Sequence, residues 1–286
     1  MAPNSPPRLF NRRLYAQRRA RAAKRFGDHD FLHRRAMEDV ADRLQTVTRS
    51  FPHALFYGTG ALTSMLPPEC GVGEIVHGDL AAGRLPLGEN RVAFDEATSP
   101  FAIQSFDLVI SLLTLHHAND LVGALAQMRA QLKPDGLMIA VLFGENTLQS
   151  LRSALYSAET TILGGVSPRI TPFANIRDLG ACLQRAGFAL PVADIDSVAV
   201  SYENFMRLFS DLRGMGETSV LHNRGKPMTH ALLAETISEL DKAGGTISFD
   251  LVYLTGWAPH DSQQKPLKRG TATSSMEAAV KLQNKN

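Results

Sequence analysis

Residues 106–115, with the sequence FDLVISLLTL, decide the fold class. The run is almost wholly apolar, which is typical of a strand buried on both faces of a parallel sheet. A helical stretch over Asp120–Leu132 follows, and Lys133-Pro134-Asp135-Gly136 then forces a turn before the next apolar run, Leu137–Phe143. These residues therefore predict a strand, a helix and a second strand of one parallel sheet.

The same alternation continues on both sides of this unit. Further strands are predicted at His53–Tyr57, Glu74–His77, Arg91–Phe94, Phe188–Val200 and Thr246–Trp257. Further helices are predicted at 34–49, 61–66, 147–160, 176–186, 202–212 and 227–242. This order indicates a Rossmann-like α/β fold with a mostly parallel, doubly wound sheet, whose ligands bind at the carboxyl ends of the strands. The Gly-rich segments 163–175 and 213–226 are predicted to be inserted lid loops over that edge.

Composition sets the broad class of the protein. The chain has 286 residues, of which 44% are hydrophobic and 20% charged, as in an ordinary globular protein that buries a core. No apolar run reaches the roughly 18–20 residues of a transmembrane helix. Cys70 and Cys182 lie far apart without the spacing of metal ligands, so neither a disulfide framework nor a zinc site is predicted.

The net charge of +2 conceals a strongly basic start of the chain. Residues 1–35 contain ten Lys and Arg residues against Asp28 and Asp30, so the rest of the chain is acidic. A basic arm of this kind is a cleaved leader, a nucleic-acid tail, or a helix that contacts an acidic surface. We divide the chain into this arm (1–35), an α/β domain (36–258) and a polar, flexible tail (259–286).

Glycines and carboxylates follow the first three predicted strands. Gly58 and Gly60 follow the first strand, where glycine either lets a ligand approach the backbone or only forms a turn. Asp79 follows the second strand and can bind ribose hydroxyls, or it can cap a turn. Asp95 and Glu96 follow the third strand, where a carboxylate can accept a hydrogen bond from an adenine amino group.

The order of these motifs, with Phe106-Asp107-Leu108-Val109 and Leu132-Lys133-Pro134-Asp135-Gly136, resembles the class I S-adenosylmethionine-dependent methyltransferases. The resemblance implies S-adenosyl-L-methionine as cofactor, held by Gly58, Gly60, Asp79, Asp95 and Glu96. One departure concerns the first motif, which in that family ends its strand with Asp-Leu-Gly. This chain has Phe56-Tyr57-Gly58 there, so it lacks a carboxylate that helps to orient the cofactor.

A narrower resemblance covers almost the whole chain. The chain is similar to the methyltransferase-fold assembly factor of respiratory complex I and its bacterial relatives, and distantly to the malonyl-carrier-protein methyltransferase of biotin synthesis. The matching segments are Leu9–Arg12, Leu115–Leu121, Phe143–Leu148, Leu151-Arg152, Ala158-Glu159, Gly164–Ile170, Asp211–Glu217 and Gly256-Trp257.

The resemblance implies an enzyme that modifies a protein side chain, by methylation or by hydroxylation of an arginine, on a respiratory complex I subunit. It implies a cytoplasmic protein in a bacterium and a mitochondrial matrix protein in a eukaryote. It also begins at Leu9, which favours a retained helical arm over a leader. The alternative is a non-catalytic assembly chaperone with a degenerate methyltransferase fold. No nucleic-acid partner is expected, because no aromatic-interleaved basic patch is visible.

Five residues are candidates for the chemistry. His116 and His117 follow the fourth strand at the mouth of the cleft, where imidazole can act as a base or ligand, or can only pack. Arg169 and Glu217 lie in the two lid loops and are either functional or solvated. If the substrate is an arginine, Glu159 and Glu217 are the candidate partners of its guanidinium group. No metal is predicted, because adjacent histidines on a strand point to opposite faces.

Overall fold

The computed structural model describes residues 8–88 and 90–263. Its helices are α1 (Arg12–Ala22), α2 (Phe31–Gln45), α3 (Leu121–Gln131), α4 (Gln149–Leu163), α5 (Ile176–Arg185), α6 (Phe205–Met215) and α7 (His230–Lys242). Its strands are β1 (Phe51–Tyr57), β2 (Val72–Asp79), β3 (Arg91–Ala93), β4 (Phe106–Leu112), β5 (Leu132–Phe143), β6 (Ala189–Ser201) and β7 (Thr246–Trp257). Most of the predicted flexible tail, from residue 264 onward, lies outside the described residues.

The seven strands form one sheet in the order β3-β2-β1-β4-β5-β7-β6. Strands β1 to β5 are parallel, and β7 is antiparallel to both β5 and β6. The chain order reverses between β1 and β4, which makes the carboxyl ends of these two strands the expected ligand site of an open α/β sheet. The prediction of a mostly parallel, doubly wound α/β sheet is confirmed.

Helices cover both faces of the sheet. Buried side chains of α2, α4, α6 and α7 pack on one face, and those of α3 and α5 pack on the other. The central strand β4 contributes Leu108 and Ile110 to the first core and Val109 to the second, and all three are fully buried. This confirms the prediction that the FDLVISLLTL run is buried on both sides.

The chain leaves β4 earlier than predicted. Leu113 has a φ of +50°, which turns the backbone away from the sheet, and its amide N–H donates to the carbonyl of Val141. Leu115–His117 then form a short 3-10 turn. His116 and His117 follow β4, as predicted, but they lie in a turn and not on a strand. The conclusion that they point to opposite faces, which treated them as successive strand residues, is therefore wrong.

The basic arm is folded against the domain. The Asn11 side chain caps α1 by accepting from the amide of Leu14. Just before it, Phe10 exchanges two hydrogen bonds with the Asn119 side chain, of 2.8 and 2.9 Å, and forms a β-bridge with Leu221. The next helix, α2, crosses the predicted boundary at residue 35. In the described part of the chain, no helix is both long and apolar enough to cross a bilayer.

Candidate functional site

The two glycines after β1 are required by close packing. Gly58 has a φ of +78°, and a Cβ at this position would lie 2.6 Å from the carbonyl oxygen of Leu112. Gly60 has a φ of +55°, and a Cβ there would lie 3.0 Å from the carbonyl oxygen of Arg84. Both conformations favour glycine. The turn and its neighbours therefore account for these glycines without a ligand.

The carboxylates at the ends of β2 and β3 are held by arginines of the arm. Arg19 forms a bidentate pair with Asp79, with N···O distances of 3.0 and 2.6 Å, and both side chains are almost fully buried. Arg12 donates to both oxygens of Asp95 at 3.0 Å and to Glu96 at 2.6 Å. These fork-shaped, charge-assisted bonds fix α1 across the strand ends. The predicted cofactor carboxylates are thus brought together, with the arm as their present partner.

The pKa directions agree with this pairing. Burial opposes the charge of the Arg19 guanidinium, yet Asp79 outweighs it and raises the pKa of Arg19 well above its ordinary value. Burial also opposes the charge of Arg12, and Glu96 and Asp95 raise its pKa in the same way. Both arginines therefore stay charged in the interior. The second oxygen of Glu96, Oε1, is buried without a hydrogen-bond partner.

A second cluster joins the two candidate histidines to Glu217. His116 Nε2 lies 2.9 Å from Glu217 Oε2, and His117 Nδ1 lies 3.7 Å from the same oxygen. His117 Nε2 is 3.2 Å from the hydroxyl of Thr171, and the Tyr15 hydroxyl is 3.4 Å from Glu217 Oε1. All three side chains of the cluster are at most 5% exposed. The ligand atoms of His116, His117 and Glu217 lie within 4.8 Å of one another.

Local backbone geometry delivers Glu217 to this cluster. Gly216 ends α6 with a φ of +89°, and the Glu217 amide returns to the carbonyl of Leu212. Earlier in α6, the buried Asp211 accepts from the imidazole of His29 at 2.7 Å. Gly214 leaves the space that the His29 ring fills. The Asp211–Glu217 motif is therefore a helix end built to anchor the arm and to place one carboxylate.

The environment keeps His117 neutral. Burial lowers the pKa of its imidazole well below the ordinary value, and His116, Arg12 and Arg19 lower it further. The ring also packs edge-on against Phe10 and Tyr15. His117 is consequently suited to donate or accept a hydrogen bond, or to offer a lone pair, near neutral pH.

Glu159 and Arg169 form a separate tie within the first lid loop. Glu159 is fully buried and accepts from the Ser167 amide at 2.7 Å, the Ser167 hydroxyl at 2.5 Å and Arg169 Nε at 2.7 Å. Burial raises the pKa of its carboxyl, but these hydrogen bonds outweigh burial and hold it below the ordinary value. The guanidinium group that Glu159 binds here is that of Arg169.

A cavity of about 770 Å³ opens beside the histidine cluster. Its wall includes His117, Thr171, Phe173 and Glu217, and both lid loops contribute to it. Among the described residues that line it, Glu217 is the single carboxylate. Four cationic residues also line it, namely Arg18, Arg169, Arg224 and Lys226. Burial lowers the pKa of Arg18, and the positive charges of Arg224 and Arg21 lower it further.

The candidate residues thus fall into three groups around the strand ends. The first group contains Asp79, Asp95 and Glu96, which bind arginines of the arm. The second is the cluster of His116, His117 and Glu217. The third is the ion pair of Glu159 and Arg169, which connects α4 to the first lid loop. Sequence reasoning missed the parts played by Arg12, Tyr15, Arg19 and Thr171. The spacing of positions 12, 15 and 19 on one helical face is the signal that could have found the first three.

Comparisons with known proteins place these features in context. Residues 57–140 match the model of a methyltransferase domain family. The chain is 37% identical over 291 aligned positions to the mitochondrial arginine hydroxylase NDUFAF5 of Mus musculus, covering 96% of this chain and 84% of that protein. It is 33% identical over 171 positions to the malonyl-[acyl-carrier protein] O-methyltransferase of Xylella fastidiosa, covering 58% of this chain and 56% of that protein.

A solved structure extends the comparison to the fold. The YcgJ protein of Bacillus subtilis superposes with a TM-score of 0.50 at 15% sequence identity, covering 76% of this chain and 97% of that chain. At this identity the likeness concerns the fold alone.

Proposed function

Because this chain belongs to the family of the arginine hydroxylase NDUFAF5, we propose that it is an S-adenosylmethionine-binding enzyme that modifies an arginine side chain of a protein. The observation that carries the proposal is the cavity at the carboxyl edge of the sheet, whose wall includes Glu217. The carboxylates that end β2 and follow β3 lie at the same edge of the sheet, where they bind Arg19 and Arg12. The relatives named arginine hydroxylase match almost the whole chain, at 36–37% identity in mouse and human.

The residue types at the strand ends suit the cofactor. Asp79 stands where a carboxylate binds ribose hydroxyls, and Asp95 and Glu96 stand at the neighbouring strand end. Glu96 Oε1 is a buried acceptor that still lacks a donor. The bound cofactor supplies an electrophilic sulfonium methyl group. Because Arg12 and Arg19 hold these carboxylates, we propose that cofactor binding exchanges the arm's guanidinium groups for the ribose and adenine.

The cavity supports a protein substrate that presents an arginine. Glu217 offers a carboxylate to which a guanidinium group can donate a charge-assisted hydrogen bond, through the Oε1 atom that also lies near the Tyr15 hydroxyl. The cationic wall around it favours acidic residues beside the target arginine. We propose a subunit of respiratory complex I as this protein, which places the enzyme in the bacterial cytoplasm or, in a eukaryote, in the mitochondrial matrix.

Calorimetry with S-adenosylmethionine tests the cofactor half of the proposal. The full-length protein is expected to bind one equivalent, and ultraviolet crosslinking of the bound cofactor should label the segments around Gly58, Asp79 and Asp95. As a control, the Asp135→Asn variant should bind the cofactor as tightly as the unaltered protein, because this carboxylate belongs to the start of β5, at the opposite edge of the sheet. Absence of binding at millimolar ligand would refute the cofactor assignment.

The docked arm favours a second candidate function, a non-catalytic assembly chaperone. Phe56 and Tyr57 stand at the end of β1, where the methyltransferase motif has an acidic residue. Tyr57 is buried, and its hydroxyl donates a hydrogen bond to the carbonyl of Phe94. If the arm never leaves, the fold serves as a binding platform. This function predicts undetectable cofactor binding together with an intact, direct interaction with a complex I subunit.

A further inference from the structure

The cluster of His116, His117 and Glu217 has the geometry of a metal site. Ligands that lie side by side on one ion, at bond lengths of about 2.1 Å, are about 3.0–3.4 Å apart. Glu217 Oε2 lies 2.9 Å from His116 Nε2 and 3.7 Å from His117 Nδ1, so both of these pairs are already close to that spacing. The 3-10 turn at Leu115–His117 is what allows two successive histidines to face one carboxylate.

An unsatisfied nitrogen of His117 points to a missing partner. His117 Nδ1 is fully buried, faces Glu217 and has no hydrogen-bond partner within reach. A buried imidazole nitrogen without a partner is costly, because it has lost its water. In the tautomer in which Nε2–H donates to Thr171, His117 Nδ1 presents its lone pair toward Glu217.

The surroundings complete the arrangement. A ligating histidine usually donates its other ring N–H to an outer partner, and Thr171 occupies that position for His117. The Tyr15 hydroxyl gives Glu217 Oε1 a similar outer partner. Arg12 and Arg19, the two arginines that act most strongly on His117, are each paired with carboxylates, which reduces their repulsion of an ion.

We propose that His116, His117 and Glu217 bind a divalent first-row transition-metal ion at the edge of the cavity. Two imidazoles and one carboxylate leave coordination positions open, and His117 and Glu217 both line the cavity, so a substrate or water has access to the ion. This ligand set is the one that suits iron(II), cobalt(II), manganese(II) or zinc(II). The role of the ion in catalysis, though not the site itself, rests on the proposed function.

Cobalt(II) titration of the chelator-treated, full-length protein tests this site. We expect one cobalt(II) per chain, with visible absorption bands and a rise in the unfolding temperature. Glu217→Gln keeps the shape of the side chain but removes its charge, and it should weaken binding by more than the roughly 10–100-fold typical of losing an outer partner. Thr171→Val, which removes such an outer partner, should weaken binding by about 10–100-fold.

His222→Gln is the matched control, because His222 lines the same cavity but is not part of the cluster. Its cobalt(II) affinity should equal that of the unaltered protein. The proposal is overturned if the folded, unaltered protein takes up no stoichiometric cobalt(II). It is also overturned if Glu217→Gln and Thr171→Val both bind as tightly as the unaltered protein. Calorimetry with S-adenosylmethionine on the same preparation separates the two assignments, because cofactor binding without cobalt binding refutes the metal site alone.

Discussion

Replacing Arg19 with methionine tests whether the arm gates the cofactor site. Arg19 and Asp79 form a bidentate pair in which neither side chain is more than 1% exposed. Removing one partner of a buried ion pair costs about 3–5 kcal/mol, because the remaining charge is left without compensation. Arg19→Met should therefore lower the free energy of unfolding by about that amount when no cofactor is present.

The same change should strengthen cofactor binding. If the ribose must displace Arg19 from Asp79, cofactor binding to the unaltered protein includes the free-energy cost of breaking that ion pair. Relief of about 3 kcal/mol corresponds to a gain in affinity of up to about two orders of magnitude. The readouts are denaturant unfolding for stability and calorimetry with S-adenosylmethionine for affinity.

Arg13→Met is the matched control for this experiment. Arg13 belongs to the same helix but is exposed, so its replacement should change the free energy of unfolding by less than about 0.5 kcal/mol and leave affinity unchanged. The reasoning is refuted if Arg19→Met loses stability as expected but binds the cofactor no more tightly than the unaltered protein.

Three further predictions concern the framework of the site. Gly214→Ala should lower the free energy of unfolding, measured with denaturant, by about 1–3 kcal/mol, because the added Cβ would overlap the His29 ring. Gly180→Ala is the control, because a Cβ there has room and should not destabilise the protein. Equal losses of stability in the two variants would contradict this. Glu159→Gln should lower the free energy of unfolding by about 1–3 kcal/mol, because it weakens the hydrogen bonds of a buried carboxylate. An unchanged denaturation midpoint would argue against a stabilising role for the contacts of Glu159 with Ser167 and Arg169. Because burial lowers the pKa of His117 below its unfolded value of 6.5, the unfolded state binds more protons in acid. The free energy of unfolding should therefore fall below about pH 6.5, by up to about 1.4 kcal/mol per pH unit from this residue, and a His117→Gln variant should have a shallower profile.

Local sequence pattern predicts the strands of the sheet well. The apolar run of β4 can be stable only where both faces are covered, so its composition carries the information. The turn predicted at Lys133–Gly136 lies instead inside β5, where Asp135 adopts a φ of +65° and the pairing with β4 shifts register. Proline and glycine indicate an interruption there, but not whether the strand resumes in line.

The candidate site is harder to predict, because it depends on contacts far apart in the chain. The turn that brings His116 and His117 together begins at Leu113, a leucine in a left-handed conformation that no local rule anticipates. The pairing of Arg19 with Asp79 joins residues 60 positions apart. Sequence reasoning named Glu217, His116 and His117 separately as candidates, and only the three-dimensional structure shows that they lie side by side.

Mass spectrometry of respiratory complex I subunits tests the central claim most directly. The proposed modification adds either one oxygen atom or a methyl group to a single arginine of one subunit. We predict that a strain lacking this protein loses that modification and that a plasmid copy restores it. An arginine that stays modified in the deletion strain, or complex I subunits that are identical in mass in both strains, would contradict the proposed function.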